Sequence, residues 1–223
     1  MKARTMDPNE IPDRRQFLKR IVIAGAAGTL FSVRGAFAEE LMRTPSQTEG
    51  PYYPLQLPLD RDNDLLVITD SITPAVGEIL LLSGRVLTLS GNPVRNATVE
   101  IWQADNTGAY LHPKRMGYQT RDANFQGYGR FETASSGEYS FRTIKPGLYT
   151  GRTRHIHFKI KAAGRPELTT QCYFQGEPRN ASDNVLNRIR SERERNAVIA
   201  SLTPVRDSNI AASAARFDIV LSD

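Results

Sequence analysis

The chain has 223 residues, of which 39% are hydrophobic and 24% charged, with a formal net charge of +5. This length allows one domain with a sizeable core, and the single cysteine, Cys172, excludes an internal disulfide. Seven of the 29 basic residues but only three of the 24 acidic ones lie in residues 1–38, so the rest of the chain is nearly neutral and lacks the basic balance of a nucleic-acid-binding protein.

The first 38 residues have the organisation of an export signal. Paired arginines, Arg14-Arg15, precede Phe-Leu-Lys, and an apolar stretch rich in alanine and glycine follows over residues 21–33. The stretch is shorter than the ~20 residues of a stable membrane span, and Ala36-Phe37-Ala38 offers a small-x-small cleavage site. The pattern predicts a twin-arginine signal removed after Ala38, hence a periplasmic or secreted bacterial protein, with an uncleaved N-terminal anchor as the alternative.

Residues 39–223 are predicted to form a single domain that begins with an N-terminal arm over residues 39–77. The stretch 44–54 has the sequence TPSQTEGPYYP, which shows neither the helical nor the strand period. Prolines recur along this stretch, and a proline has no backbone N–H to donate to a neighbouring strand. We therefore expect an ordered arm that wraps against the domain without adding a strand.

Short apolar or alternating segments, separated by turns, make up most of the remaining chain. The predicted strands are 79–89, 94–104, 128–131, 138–144, 154–160, 168–174 and 216–221. The residues Ser90-Gly91-Asn92-Pro93 predict the turn of a hairpin or meander between the first two. One short helix is predicted over 191–202. The pattern predicts an all-β fold, an antiparallel β-sandwich with long loops and at most short helices.

Two of the three histidines, His155 and His157, lie in the alternating segment Arg154–Ile160. On a strand, residues i and i+2 project from the same face about 7 Å apart, so both imidazoles can reach one metal ion. Tyr149 follows the turn at Pro146-Gly147 and is placed to approach the same point. The pair alone leaves two interpretations open, a metal site and an ordinary polar face.

The residues alone also leave the metal open. A single cysteine disfavours structural zinc, which prefers clusters of Cys and His, whereas plentiful carboxylates allow a ferrous site of two histidines and one carboxylate. A tyrosine has a reference pKa of ~10 and ligates as the phenolate, which only a strongly Lewis-acidic cation stabilises at neutral pH. Ferric iron is the commonest such cation, so a ferric site is conceivable.

Five segments, in order along the chain, resemble the motifs of the intradiol ring-cleavage dioxygenases, most closely the protocatechuate 3,4-dioxygenase branch. They are TPSQTEGPYY (44–53), WQADNTGAYLH (102–112), IKPGLY (144–149), RTRHIH (152–157) and LTTQCYF (168–174). The resemblance extends from about residue 44 to the final strand. It implies the sandwich fold of that family, which is shared with transthyretin-like modules, and an enzyme that cleaves catechols with O2.

Carried over position by position, the resemblance implies one non-haem Fe(III) per chain. The implied ligands are Tyr110, Tyr149, His155 and His157. Arg152 matches the arginine that stabilises the electron-rich substrate, and Gln171 matches the glutamine beside it. Because all four ligand positions are filled, the chain resembles a catalytic subunit and not the iron-free partner of some family members.

The resemblance also implies how these residues act. The catechol binds as a chelating dianion and displaces Tyr149, whose phenolate accepts one of the protons, while the iron serves as a Lewis acid and template. Arg152 faces the negative charge that develops on the ring. The product is a cis,cis-muconate-type diacid. The expected partners are a small-molecule catechol and O2, with no nucleic acid and no stable membrane anchor after signal cleavage.

Some positions depart from the resemblance. Only five residues separate Tyr149 from His155, with Thr150-Gly151 where the protocatechuate enzymes carry a longer loop with a tryptophan. Arg154 stands at a small position, and Cys172 at a more often aliphatic one. The loop and Arg154 leave the catechol open, and the sequence does not decide between a lone chain, a homo-oligomer and an assembly with a second chain.

Two other functions compete with this one. A non-catalytic transthyretin-like binding module would use the same sandwich without a metal, and a ferrous or zinc site completed by a carboxylate would belong to another enzyme class. Three nearby aromatic residues are interpreted as structural: Trp102 as a core residue, Tyr173 as a sheet-packing residue, and His112 as a structural neighbour of Tyr110.

Overall fold

The computed structural model describes residues 41–68, 73–113, 118–149, 151–206 and 211–222, so the predicted export signal lies outside the described residues. The strands are β1 (Ile79–Thr88), β2 (Thr98–Trp102), β3 (Tyr128–Glu132), β4 (Glu138–Ile144), β5 (His155–Lys161), β6 (Leu168–Phe174), β7 (Ile199–Ala200), β8 (Thr203–Pro204), β9 (Ala212–Arg216) and β10 (Ile219–Leu221). A short α-helix, α1, spans Glu192–Asn196, and 3-10 turns span Tyr118–Thr120, Pro178–Ser182 and Leu186–Arg188. No helix within these ranges is long and apolar enough to cross a membrane.

The strands of the described ranges form two five-stranded sheets, which confirms the predicted sandwich. In the first sheet β1 pairs with β4, β9 and β10, and β9 also pairs with β8. The second sheet has the order β3-β2-β5-β6-β7. Both sheets are mixed, because β1 runs parallel to β9 and β10, and β6 runs parallel to β7.

The predicted hairpin around Ser90-Gly91-Asn92-Pro93 is wrong. β1 and β2 lie in different sheets, and the local pairing is reduced to a bridge between Leu87 and Pro93. The backbone of Asn96 adopts a left-handed φ of 56° just before β2. The turn residues therefore predict that the chain reverses, but they do not determine which sheet receives the next strand.

The helix predicted over 191–202 is shorter in the structure. It begins after Ser191, whose side chain accepts a hydrogen bond from the Glu194 amide, and it ends at Asn196. The chain then turns inward, burying Val198 and Ala200 and adding β7 to the edge of β6. Burial of these apolar side chains outweighs the helical preference of the charged residues.

Two groups of buried side chains fill the described part of the molecule. The larger one lies between the sheets and contains the aromatic residues Tyr139, Phe141, Phe158 and Phe217. The smaller one is almost entirely aromatic: its buried members are Trp102, Ala104, Tyr110 and Tyr128, with Tyr52, Tyr53 and Tyr149 packed against them. The smaller group thus contains both tyrosines that the sequence singles out as ligands.

The N-terminal arm wraps against both sheets, as expected, and residues 41–60 contribute no strand. The Thr44 amide donates to the carbonyl of Val220 at 3.0 Å, and the Gln47 amide donates to that of Thr169 at 2.8 Å. These bonds replace water on the backbone of the arm and hold it beside β6 and β10.

Gly84 in β1 marks the tightest approach in the first sheet. A Cβ at this position would collide with the carbonyl of Phe217, which also accepts the hydroxyl of Tyr139. We expect Gly84→Ala to lower the free energy of unfolding by about 3 kcal/mol or more, because the backbone carbonyl cannot move aside. At Gly164 φ is +71°, but apart from its chain neighbours no described residue has an atom within 4 Å of an added Cβ, so Gly164→Ala should cost only about 1 kcal/mol. Denaturant titrations measure both values, and an equal loss of unfolding free energy in the two variants would contradict this prediction.

Candidate metal centre

The two histidines of β5 point into the same buried space. His155 and His157 are each 2% exposed, and their ring centroids lie 4.8 Å apart with nearly perpendicular planes. β5 is a central strand between β2 and β6, which places Trp102 and Gln171 opposite His157. The Trp102 indole stacks on the His157 ring at 4.8 Å and 10°. Trp102 is therefore more than a core residue, because it fixes the plane of this imidazole.

Two tyrosines reach the histidines from loops. Tyr110 follows β2, and Tyr149 follows the turn at Pro146-Gly147. Their hydroxyl oxygens lie 3.3 and 3.4 Å from Nε2 of His155. The ring of Tyr110 lies 5.3 Å from that of Tyr149 and 6.0 Å from that of His157. The structure thus brings together all four residues that the resemblance implies as ligands.

Close backbone packing brings the two tyrosine loops together. Gly108 has a left-handed φ of 90°, and a Cβ there would collide with the carbonyl of Leu148. A Cβ on Gly147 would collide with the backbone of residues 105–108, and the Gly147 amide donates to the carbonyl of Asp105 at 2.8 Å. Only glycine fits at these two positions, so the loops touch through their main chains and their tyrosines become neighbours.

The imidazoles are arranged to offer free nitrogen atoms. Nδ1 of His155 donates to the Thr153 carbonyl at 2.7 Å, which leaves the lone pair of Nε2 directed toward the two phenols. Neither ring nitrogen of His157 has a hydrogen-bond partner among the described residues, although the side chain is buried. A buried polar atom without a partner is costly, and a bound cation would supply the missing interaction. The donor set therefore fits a metal ion.

Both histidines are neutral at physiological pH. Burial, aided by the charge of Arg152, lowers the pKa of His155 to about 3, against the weaker opposing effect of the Thr153 carbonyl. Burial and the neighbouring His155 hold the pKa of His157 well below its usual value. A neutral imidazole is the form that binds a metal, so neither ring must lose a proton first.

The two phenols require a strong cation to ionise. Burial raises the pKa of Tyr110 well above its usual value, and the nearby Tyr149 adds to this effect. Burial also raises the pKa of Tyr149, although Arg152 and a hydrogen bond from Tyr110 partly offset it. Arg152 opposes the rise in pKa at both phenols, but it also donates a hydrogen bond to the hydroxyl of Tyr149, so the phenolate of Tyr149 receives the more direct stabilisation.

Arg152 links the phenol of Tyr149 to Gln171 and, through it, to the N-terminal arm. Its guanidinium donates to the hydroxyl of Tyr149 at 3.2 Å and to Oε1 of Gln171 at 2.7 Å. The Gln171 amide group in turn donates to the carbonyl of Thr48 in the arm at 3.0 Å. The structure therefore places Arg152 beside the phenol of Tyr149, and Gln171 beside Arg152.

Asp183 is a site residue that the sequence did not reveal. Its carboxylate is fully buried and accepts from Nε of Arg152 at 2.8 Å and from the Thr153 amide at 2.9 Å. Burial raises the pKa of Asp183, but hydrogen bonds from Arg152 and from the amides of Leu186 and Thr153 outweigh that effect and lower it overall. Because Thr153 also binds His155, one carboxylate positions both the guanidinium and a histidine.

Tyr173 is also part of this network, so its interpretation as a sheet-packing residue is incomplete. Its hydroxyl donates to Oε1 of Gln171 at 2.9 Å and accepts from the side chain of Gln47 at 2.9 Å. The same Gln47 side chain accepts from the backbone amide of Gln171 at 3.0 Å. Tyr173 and Gln47 together prevent the Gln171 side chain from rotating away from Arg152.

Tyr52 of the arm closes one side of the aromatic cluster. Its ring lies 5.0 Å from that of Tyr110 and 6.0 Å from that of Tyr149. His112, the third histidine, is buried and packs against Tyr52 at 5.8 Å with its ring edge-on. This position agrees with the structural interpretation of His112.

The departures from the family motifs have structural explanations. Arg154 points away from the cluster, since it donates to the carbonyl of Pro146 and pairs with Glu177 at 3.3 Å. Cys172 is a buried core residue of β6, and burial raises the pKa of its thiol. Gly151 has a φ of 75°, and apart from its chain neighbours no described residue has an atom within 4 Å of the place that a Cβ would occupy.

The carboxylate-completed metal site that competed with this arrangement finds no support. The described residues contain no group of three or more His, Cys, Asp or Glu side chains placed to hold a metal ion. The carboxylate of Asp183 already accepts hydrogen bonds from the guanidinium of Arg152 and from backbone amides. Donors for a cation in this cleft are therefore the imidazoles and the phenols.

Comparison with known proteins agrees with the fold and the cluster. The family model described as Dioxygenase (Dioxygenase_C) matches residues 48–223, which defines the class of the protein. The chain is 36% identical over 172 residues to the protocatechuate 3,4-dioxygenase beta chain of Burkholderia cepacia, covering 74% of this chain and 72% of the relative. It is 35% identical over 198 residues to the alpha chain of that enzyme from Pseudomonas putida, covering 81% and 92%.

Two solved structures are similar to this chain in fold. The dioxygenase domain of a dioxygenase–carbohydrate-binding fusion from Streptomyces sp. SirexAA-E is 35% identical, with a TM-score of 0.62, over 81% of this chain and 99% of that one. An intradiol ring-cleavage dioxygenase from Tetranychus urticae, at 21% identity and a TM-score of 0.64 over 82% of this chain and 95% of that one, shares the fold. The chain belongs to the intradiol ring-cleavage dioxygenase family, and the non-catalytic binding module is thereby set aside.

Removing the charge of Asp183 should damage both stability and turnover. We expect Asp183→Asn to lower the free energy of unfolding by about 3 kcal/mol, because the buried Arg152 loses its counter-charge. Turnover should fall as well, because Arg152 loses its fixed position. Glu177→Gln, which removes a partner of Lys145 and Arg154 nearer the surface, should cost about 1 kcal/mol or less. Chemical denaturation measures the free energy of unfolding, and oxygen uptake measures turnover. Similar losses of stability and turnover in the two variants would refute the role of Asp183.

The stability of metal-depleted protein should depend on the two histidines below neutral pH. Both pKa values are lower in the folded chain than the usual 6.5, so the unfolded chain binds more protons between pH 6.5 and about 3. Stability should therefore fall as the pH drops through this window, and His155 should account for about 2 kcal/mol of the loss at pH 5, with a further loss from His157. A His155→Gln/His157→Gln variant should show a shallower fall in denaturation midpoints, and an unchanged fall would exclude the histidines as its cause.

Proposed function

We propose that the protein is a non-haem Fe(III) enzyme that cleaves the ring of a catechol-type aromatic between its two hydroxylated carbons, consuming O2 and forming a cis,cis-muconate-type diacid. The observation that carries the proposal is the convergence of Tyr110, Tyr149, His155 and His157 in one buried space beside Arg152. Membership of the intradiol family supports the same reaction.

The four side chains suit ferric iron better than a divalent cation. Two phenolates bring two anionic oxygen donors to the cation, which a trivalent ion attracts more strongly than a divalent one, and they leave a trivalent ion one positive charge with which to attract an anionic substrate. The raised pKa of Tyr110 means that its proton leaves only when a strongly Lewis-acidic cation is close. When bound, the iron would withdraw electron density from a chelated catechol and hold its ring for reaction with O2.

Tyr149 is the group best placed to take a proton from the substrate. A catechol must lose the protons of both hydroxyls to chelate, and the phenolate of Tyr149 can accept one of them. Arg152 donates to the Tyr149 hydroxyl, so the side chain keeps a partner whether or not it is ionised. Tyr110 lies deeper, with its ring packed against Tyr52 and only 1% of its surface exposed, which makes it the more permanent of the two ligands.

Arg152 and Gln171 supply the electrostatics of the reaction. The guanidinium is fixed by Asp183 on one side and by Gln171 on the other, so its charge is already aimed before substrate enters. A preorganised charge next to a ring that gains negative charge lowers the barrier without costly reorganisation. The Arg152 side chain is only 15% exposed, so water screens this interaction weakly.

The proposed substrate class follows from the relatives, which include protocatechuate 3,4-dioxygenase chains. A catechol 1,2-dioxygenase from Acinetobacter lwoffii is also 31% identical, over 60% of this chain and 52% of that protein. The ring with two adjacent hydroxyls is common to both substrates, and it is the part that the four-residue cluster would bind. Relatives described as alpha and beta chains support an assembly of several chains.

The leader supports an exported enzyme. The twin-arginine pattern and the small-x-small site before residue 39 precede the family match, which begins at residue 48. Export of a folded chain would let the protein acquire its iron in the cytoplasm and act in the periplasm or outside the cell. Cleavage after Ala38 would leave the arm and the catalytic domain intact.

Metal content, colour and oxygen uptake test the proposal together. The purified protein should contain about one iron per chain, absorb in the visible range through tyrosinate-to-iron charge transfer, and consume O2 with catechols to give ring-cleaved diacids. Tyr149→Phe should shift the absorption and reduce turnover by about 10²-fold or more, since a proton acceptor is lost. Tyr139→Phe, in the sheet core, should leave the absorption unchanged. A colourless, iron-free protein that consumes no O2 would overturn the proposal.

A further inference from the structure

The two histidines of β5 are held in place by different means. Nδ1 of His155 donates to the Thr153 carbonyl, which fixes the orientation of that ring. Neither nitrogen of His157 has a hydrogen-bond partner among the described residues. A metal-binding imidazole normally uses its second nitrogen to fix its orientation, so His157 must be oriented by another contact. The ring contacts of His157 are the only such contacts that the described residues show.

Three rings in contact, which we call the ring series, link His157 to the N-terminal arm. The imidazole lies parallel to the Trp102 indole, with 4.8 Å between centroids, whereas its contacts with Tyr110 and His155 are edge-on. Tyr53 of the arm packs against the same indole at 5.0 Å and 83°. Trp102 is fully buried, so protein groups alone set its position. What holds Tyr53 and Trp102 in place therefore also holds the plane of His157.

The arm end of the ring series is fixed by a carboxylate. The hydroxyl of Tyr53 donates to Oε2 of Glu100 at 3.0 Å, and Glu100 is a buried residue of β2 whose other oxygen accepts from Lys161 at 3.1 Å. Burial and the charge of Glu100 raise the pKa of Tyr53 to about 12. The hydroxyl therefore stays protonated and keeps donating to the carboxylate.

Lys159 applies a second constraint to the ring series. It lies two residues beyond His157 on β5, so its side chain projects from the same face of the sheet. Its ammonium lies 4.1 Å from the centroid of the Tyr53 ring and 5.9 Å from that of Trp102. The side chain is only 11% exposed and pairs with Glu49 of the arm. A cation this close attracts aromatic rings, most strongly where water is excluded.

We propose that Lys159 is a positioning residue for His157: its ammonium holds the rings of Tyr53 and Trp102, and the indole sets the plane in which the imidazole meets a metal ion. This inference rests on the proposed function, because it requires His157 to bind ferric iron. Lys159 itself touches neither the metal nor the substrate. The ring series replaces the hydrogen bond that His155 has and His157 lacks.

The test follows the ring series in the iron-free protein and iron binding in the loaded one. Trp102 is the only tryptophan of the chain, so the indole band in near-UV circular dichroism reports on the ring series directly. Competition with nitrilotriacetate measures the affinity for Fe(III). The variants are Lys159→Met, Lys159→Arg and Tyr53→Phe. The matched control is Lys161→Met, which removes a lysine from the same face of β5 that pairs with Glu100 and lies over no ring of the described residues.

Lys159→Met should weaken the indole band and lower the affinity for Fe(III) by about tenfold or more, the usual cost of losing a group that orients a metal-binding histidine. Lys159→Arg should restore both, because it keeps a cation beside the rings. Tyr53→Phe should produce a smaller change in the same direction, since the ring stays but loses its bond to the carboxylate. Lys161→Met should change neither quantity.

An unchanged indole band and iron affinity in Lys159→Met, or an equal change in Lys161→Met, would overturn this inference. If Lys159→Met does not fold, Tyr53→Phe decides the question, because an unaltered band and affinity in that variant contradict the inference equally. All of these results leave the proposed function standing. A wild-type protein that binds no iron would overturn the proposed function and this inference with it.

Discussion

The buried ion pair between Arg152 and Asp183 is the interaction on which the rest of the cleft depends. A largely buried guanidinium beside Tyr149 and Tyr173 is tolerable only with a counter-charge, and the carboxylate of Asp183 provides it while also binding the backbone at Thr153. Through Thr153 the carboxylate orients His155, and through Arg152 it orients Tyr149 and Gln171. Electrostatic compensation and geometric precision are thus achieved by one residue in an irregular segment.

The two sheets supply rigidity where the chemistry needs it, and the loops supply the groups that must adjust. The imidazoles stand on a central strand with neighbours on both sides, which leaves them little freedom. The phenols stand on loops, and Tyr149 is less buried than Tyr110. This division suits the proposed reaction, in which one oxygen ligand leaves while the nitrogen ligands stay.

Local sequence signals predict the parts of the molecule that depend on local geometry. Strand alternation predicts that His155 and His157 share a face, and the family motifs add Tyr110, Arg152 and Gln171. Asp183 could not be predicted because it lies between two 3-10 turns, where no periodicity distinguishes one carboxylate from another. The pairing of β1 with β9 and β10 was equally hidden, since contacts between residues more than a hundred positions apart leave no trace in a turn or a short repeat.

The contact between Gly108 and the Gly147–Leu148 backbone has a consequence for how this enzyme can vary. The backbones of the two tyrosine-bearing loops pack directly against each other, so an insertion in one loop would displace the phenol of the other. Grafting a single loop from a related protein should therefore fail where a joint transplant of both succeeds.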